Sequence, residues 1–129
     1  MRKKRYFEKL EAFENEMGFL RKREMADDVT RRALLYALQV CVDVVIDVVA
    51  MVTRDLGLVV EDDYTNIEKL EKEDILSSRE VEVIRRFNGL RNAIVHRYNH
   101  LDLDTVQKGL ETIDDLYNVL VKLVDAVEK

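Results

Sequence analysis

The sequence contains no proline and only four glycines, Gly18, Gly57, Gly89 and Gly109. With chain breakers this scarce, long uninterrupted helices cost little and the pattern argues against an all-β architecture. A single cysteine, Cys41, rules out an internal disulfide. It sits in an apolar run and reads as a small buried hydrophobe in a reducing compartment. The basic start of the chain is not followed by the apolar core of a secretory signal. No stretch reaches the roughly 18 uninterrupted apolar residues that mark a membrane helix. A soluble, cytoplasmic protein without membrane association is therefore expected. Also missing are a glycine-rich phosphate loop, paired Cys/His of zinc spacing, and a Ser/His/Asp set. Asp43 and Asp47 share a helix face, as carboxylates of a di-metal bundle do, but the Glu-x-x-His pairs of such sites are lacking. Neither a metal nor a cofactor is expected.

What is present suits a helical protein. Over 129 residues, 47% are hydrophobic and 36% charged, against about 25% charged in an average domain. The length fits one domain spanning residues 1–129 and is enough to bury a real core. The net charge of −5 argues against a general nucleic-acid coat, but the charge is unevenly spread. From Gly57 to Ser78 there are seven acids and two bases. From Arg79 to Leu101 five arginines face two acids, a local balance of +3. Further basic clusters lie at Arg2–Arg5, Arg21–Arg23 and Arg31–Arg32. Solvated helix faces explain such stripes, and so does a place to hold one phosphate backbone.

Hydrophobic periodicity predicts five helical segments. The first runs from about Lys3 to Lys22, with Phe7, Leu10, Phe13, Met17 and Leu20 at three- and four-residue steps. The second opens at Asp27 or Asp28 and ends before Gly57. From Ala33 to Val52 it is apolar around most of its circumference, leaving Gln39, Asp43 and Asp47 as a narrow polar strip. Such a helix needs cover on several sides, and a second subunit is a natural source. A short third helix is expected with a capping box from Thr65 to Glu68. The fourth runs from Ser78 to about His96 behind a Ser77/Glu80 box, with the stripe Ile84, Phe87, Leu90 and Ile94. The fifth is expected from near Asp104, with Gln107 completing a box, almost to the end. Short connections between long helices predict an all-α, up-and-down antiparallel bundle of four long helices plus one short one.

Chemistry concentrates in LRNAIVHRYNHL, residues 90–101. Arg91, Asn92, His96, Arg97, Tyr98, Asn99 and His100 crowd there, including both histidines of the chain. A helix C-terminus explains part of this, since His and Arg favour the negative end of the dipole. Asn99 then reads as the left-handed cap.

RNAIVHRY resembles the signature of HEPN ribonucleases, an Arg followed after four to six residues by a His. In the HepT branch a Tyr stands two places after that His. Arg91, His96 and Tyr98 match, and Asn92 follows the arginine as is common in the family. RRALLYALQVCVDVVID (31–47) resembles the HepT second helix, and YTNIEKLEKEDIL (64–76) with its acidic approach resembles the HepT middle. The likeness spans about Thr30 to Val124. It implies a HEPN-like fold and a homodimeric, metal-independent endoribonuclease toxin that acts on RNA through Arg91 and His96. It further implies an MntA-like minimal nucleotidyltransferase antitoxin that silences the toxin by AMPylation of Tyr98. The residue chemistry suits this. An imidazole, with its unperturbed pKa of about 6.5, can pass protons near neutral pH. A guanidinium can clamp a phosphate as charge builds on it. Asn92 is a candidate to orient a phosphate or the imidazole, and Asp43 a candidate to hold Arg91.

One geometric condition follows. On a regular helix Arg91 and His96 are roughly 140° apart and share no face, whereas Arg91 and Tyr98, seven apart, return to one side. Either the helix distorts or ends near His96, or Arg91 of one subunit meets His96 of the other. Two further readings stay open: a non-catalytic HEPN adaptor binding a nucleotide or protein in the same cleft, and a plain helical dimerisation module.

Overall fold

A computed structural model describes residues 2–128, with side chains for residues 3–127, so Arg2 of the first basic cluster lies outside the described side chains. Six helices form among the described residues, in the order α1 (Arg2–Arg21), α2 (Asp28–Asp55), α3 (Asp63–Lys72), α4 (Ser78–His96), α5 (Leu103–Glu111) and α6 (Ile113–Glu128). A single 3-10 turn, Tyr98–His100, joins α4 to α5.

Cross-helix pairs fix the topology. Tyr6 donates to Asp55 at 2.6 Å and Lys9 to Asp47 at 2.9 Å, so α1 runs antiparallel to α2. Arg91 meets Asp43 while Tyr98, further along the chain, lies near Arg32, so α4 runs antiparallel to α2. Glu80 pairs with Lys122 and Arg86 with Asp115, which sets α6 antiparallel to α4. Arg21 pairs with Asp114, closing the ring of α1, α2, α4 and α6. This is the up-and-down bundle expected.

The cover for α2 comes from within the chain. Helices α1, α3, α4 and α6 all pack on it, burying among others Leu34, Leu38, Cys41, Val45 and Val49. Four neighbours within the chain thus supply cover for which a second subunit was one natural source. By length and composition α2 is apolar enough to cross a membrane, but most of that stretch is buried in the bundle. Burial pushes the Cys41 thiol up to about 12, as befits an inert core side chain. Gly57 ends α2 at φ +80°, a conformation a side chain resists.

Three expectations are corrected by local chemistry. The cap of α3 is Asp62, whose carboxylate accepts from Thr65 N–H, so Thr65 lies inside the helix it was expected to open. Likewise α5 is capped by Asp102 rather than Asp104, and Gln107 bonds Glu111 instead of closing a box. The last segment divides at Thr112. The Thr112 hydroxyl donates to the Lys108 carbonyl at 2.8 Å, and its own N–H is shared between Lys108 and Gly109 carbonyls. A threonine competing for its i−4 carbonyl bends a helix, and here it separates α5 from α6. Periodicity passes through such a bend unchanged, so the sequence pattern does not register it. The Ser77/Glu80 capping box forms as expected.

The caps carry a pH signature. Asp27 and Asp62 are held below 3.8 by backbone N–H groups that favour the carboxylate, and Asp102 chiefly by the Thr105 hydroxyl. A carboxyl whose folded pKa is depressed stabilises the fold above its unfolded pKa and loses that contribution as pH falls through the folded value. Melting temperature should therefore hold steady down to about pH 4 and drop below it. Asp27→Asn and Asp62→Asn keep a capping oxygen that does not titrate, so the double variant should show a shallower acid slope in a thermal melt series.

Candidate functional site

The sequence-predicted residues gather where α4 ends beside the middle and start of α2. Arg91 is held there by both of its neighbours. Its Nε donates to Asp43 Oδ1 at 2.8 Å, and its Nη1 donates to Asn92 Oδ1 at 3.0 Å. The Arg91 side chain remains about one third exposed, at 32%, and its Nη2 makes no hydrogen bond among the described residues. So half-exposed a pair adds little stability. Its consequence is orientation: the guanidinium is fixed with one nitrogen left to meet an anion. Asn92 thus holds the arginine through its oxygen.

His96 is the last residue of α4 and is exposed. The helix stays regular to that point, with the Arg97 N–H still donating to the Ala93 carbonyl at 2.8 Å. Arg91 and His96 therefore face directions about 140° apart within one chain. One protomer does not bring them together.

Tyr98 departs from expectation. Because α4 stops at His96, Tyr98 is not on the helix and the seven-residue return to the face of Arg91 does not apply. The 3-10 turn instead folds its ring against the start of α2. The Arg32 guanidinium stands 5.6 Å from the ring centroid, and a cavity of about 290 Å³ lined by Arg31, Leu35 and Asn99 adjoins it. The Tyr98 hydroxyl is buried with no hydrogen-bond partner. Asn99 lies within the turn and does not cap the helix. That place is taken by Arg97 at φ −133°, so no left-handed residue is needed. Arg97 and His100 are exposed.

Sequence reasoning missed several features. Arg32 was visible only as half of a basic pair, and nothing in the pattern linked it to Tyr98. Arg85 stacks 4.1 Å over the Tyr64 ring, with its Nε and Nη2 buried and unpartnered. A cavity of about 610 Å³ lies between α4 and α5 beside the motif. Among the described residues, no three side chains of ligand type gather closely enough to hold a metal ion.

The four-helix ring, with its basic Arg/His segment at the end of α4, matches solved structures of toxin–antitoxin complexes. The fold matches a toxin–antitoxin complex with AMP-PNP at TM-score 0.85, covering 92% of this chain and 96% of that one at 17% identity. It matches a tri-AMPylated HEPN toxin of Shewanella oneidensis in complex with MNT antitoxin at TM-score 0.83, covering 92% and 95% at 17% identity. The family model described as "Ribonuclease HepT-like" matches residues 3–123. The chain belongs to the HepT-like ribonuclease family. A relative from Archaeoglobus fulgidus, named "Putative RNase", is 53% identical over 129 residues, covering all of this chain and 98% of its own length.

Proposed function

We propose that this chain is the toxin of a HEPN/MNT toxin–antitoxin pair, a cytoplasmic, metal-independent endoribonuclease working at the cleft of a homodimer. The observation that carries this is the tethered Arg91, fixed by Asp43 and Asn92 with a nitrogen to spare, on the same helix as an exposed His96. Their divergence within one chain makes the dimer part of the mechanism. Antiparallel approach of two α4 ends across a two-fold axis sets Arg91 of each protomer against His96 of the other.

RNA brings its own nucleophile. His96 takes the proton of a 2′-hydroxyl, the 2′-oxygen bonds the adjacent phosphorus, and the bond to the 5′-oxygen breaks as that oxygen receives a proton back from the imidazolium. A 2′,3′-cyclic phosphate and a 5′-hydroxyl remain. Arg91 stabilises the charge that builds on the phosphoryl oxygens, where its hydrogen bonds strengthen. The test is RNA cleavage and cell growth with wild type, Arg91→Ala and His96→Ala. Equal activity in all three removes these residues from the mechanism.

Silencing by the antitoxin fits the same site. Transfer of AMP to the Tyr98 oxygen forms a phosphodiester and releases pyrophosphate from the donor. It places bulk and negative charge where the RNA phosphate must lie. The Tyr98 hydroxyl is buried, so it must leave its pocket to reach an α-phosphorus. A buried hydroxyl without a partner costs about 1–3 kcal/mol, which lowers the cost of that excursion. Tyr98→Phe should consequently melt at or slightly above the wild-type temperature, retain cleavage and escape the antitoxin. A lower melting temperature, or silencing that persists, would count against this role.

A further inference from the structure

The cavity between α4 and α5 has no part in the chemistry above. Its floor is apolar, formed by Phe87, Leu90 and Val106, and Gly89 leaves its mouth open on α4. Gly109 permits the close crossing at its edge: a Cβ there would meet the Leu90 side chain at 2.5 Å. The rim carries the cations Arg86, Arg97 and Lys108 beside the His100 imidazole. Arg97 and His100 make no side-chain hydrogen bond or ion pair among the described residues, and Lys108 only attracts Asp102 from a distance. The one acid on the rim, Asp102, already accepts from Asp104 N–H and the Thr105 hydroxyl. At about 610 Å³ the space lies within the range of small-molecule sites, roughly 300–1,000 Å³.

Position ties the cavity to the motif. His96 stands seven residues after Gly89, within about 20° of it around the helix, and Arg97 follows directly. The cavity therefore flanks His96 on the side turned away from Arg91.

We propose that this cavity is a base-binding subsite: it takes one unstacked nucleobase of single-stranded RNA, next to the phosphodiester presented to His96, with a backbone phosphate held by Arg97 and Lys108. The adjacency to a cut rests on the ribonuclease reading; the binding of a base does not. An apolar floor accepts the faces of any base, and cations at the mouth suit the phosphate that must follow it. Arg97, which has no ion pair among the described residues, and Lys108 at the rim favour RNA over an apolar protein segment as occupant.

The test measures binding rather than cleavage. A short, dye-labelled 2′-O-methyl RNA, which lacks the nucleophile, is titrated by anisotropy, alongside versions carrying one abasic position in turn. Wild type should lose about tenfold in affinity at one abasic position. Gly89→Leu fills the mouth; no atom lies within 4 Å of a Cβ there, and replacing a mid-helix glycine favours the fold, so the variant should melt no lower than wild type. It should bind the intact RNA about tenfold more weakly and be indifferent to the abasic change, as shared contacts do not add. Arg97→Gln should lower affinity and reduce the salt slope by about 0.7. If no abasic position is felt, or Gly89→Leu binds as wild type or still feels the abasic change, the subsite is refuted and a protein occupant becomes the better account. A chain that shows the abasic effect yet cuts no RNA overturns the nuclease reading and leaves the subsite standing.

Discussion

Neither Arg91→Ala nor His96→Ala is expected to cut RNA on its own, yet an equal mixture of the two, unfolded and refolded together, should recover activity. Loss of a general acid–base group costs about 10²–10⁴ in rate, and loss of a group that stabilises developing charge costs about 10²–10³. The recovery follows from the geometry of α4. Because it is regular through Arg97 N–H, Arg91 and His96 of one chain diverge, and in the proposed dimer each active site combines one residue from each protomer. In a heterodimer of the two variants, one composite site has lost both groups and the other retains both. Random pairing makes half of the dimers mixed, so the refolded mixture should reach about a quarter of wild-type activity in a two-fold dimer. Gel-based cleavage of a labelled RNA reads all of this. No recovery on mixing, with dimers confirmed by light scattering, would mean that each chain builds its own site, and the crossed arrangement would have to be abandoned. Asp43→Asn serves as a milder companion. It keeps a hydrogen-bond acceptor for Arg91 Nε but removes the charge, so it should lower kcat less than Arg91→Ala and leave the recovery on mixing intact.

Phe13→Ala should be the most damaging single truncation for stability. The ring is fully buried and sits 5.6 Å from that of Tyr117, joining α1 to α6, while the backbone of the same turn faces Cys41 on α2. Deleting a buried phenylalanine side chain costs about 3–5 kcal/mol, against a total stability of about 5–15 kcal/mol for a typical domain. The melting temperature should fall by roughly 10–25 °C. Phe13→Leu, which restores most of the volume, should recover most of that loss. The damage should extend to function without touching the motif, since α1 covers one side of the helix that carries Asp43. A Phe13→Ala protein melting within a few degrees of wild type would show that α1 is not integral to the core.

The parts of this molecule legible in the sequence were those governed by local rules. The boundaries of α2 and α4 follow from Asp27, Gly57 and the Ser77/Glu80 box, because capping is settled by groups three residues apart. Asp43 could be singled out because polar residues on an otherwise apolar helix stand out at i, i+4 spacing. The failures also have physical causes. The Thr112 bend depends on one hydroxyl competing for a carbonyl, which leaves the apolar stripe unbroken. The caps of α3 and α5 were misplaced because each approach offers several competent residues, Asp62 and Thr65 in one case, Asp102 and Asp104 in the other. Which oxygen meets an N–H depends on backbone direction, not on residue type.

By itself the sequence determined that the chain is helical, that its longest helix is the core, and that one twelve-residue segment holds Arg91, His96 and Tyr98; period, breakers and caps act over a single turn and need no fold to be read. Only the tertiary structure decided that four helices of the same chain enclose α2, that Asp43 and Asn92 tether Arg91 while His96 faces elsewhere, that the Tyr98 hydroxyl is buried without a partner, and that a cation-rimmed cavity opens beside the motif. Those facts depend on which faces meet across the bundle, and residues 48 apart, as Asp43 and Arg91 are, are brought together by packing that no local pattern encodes.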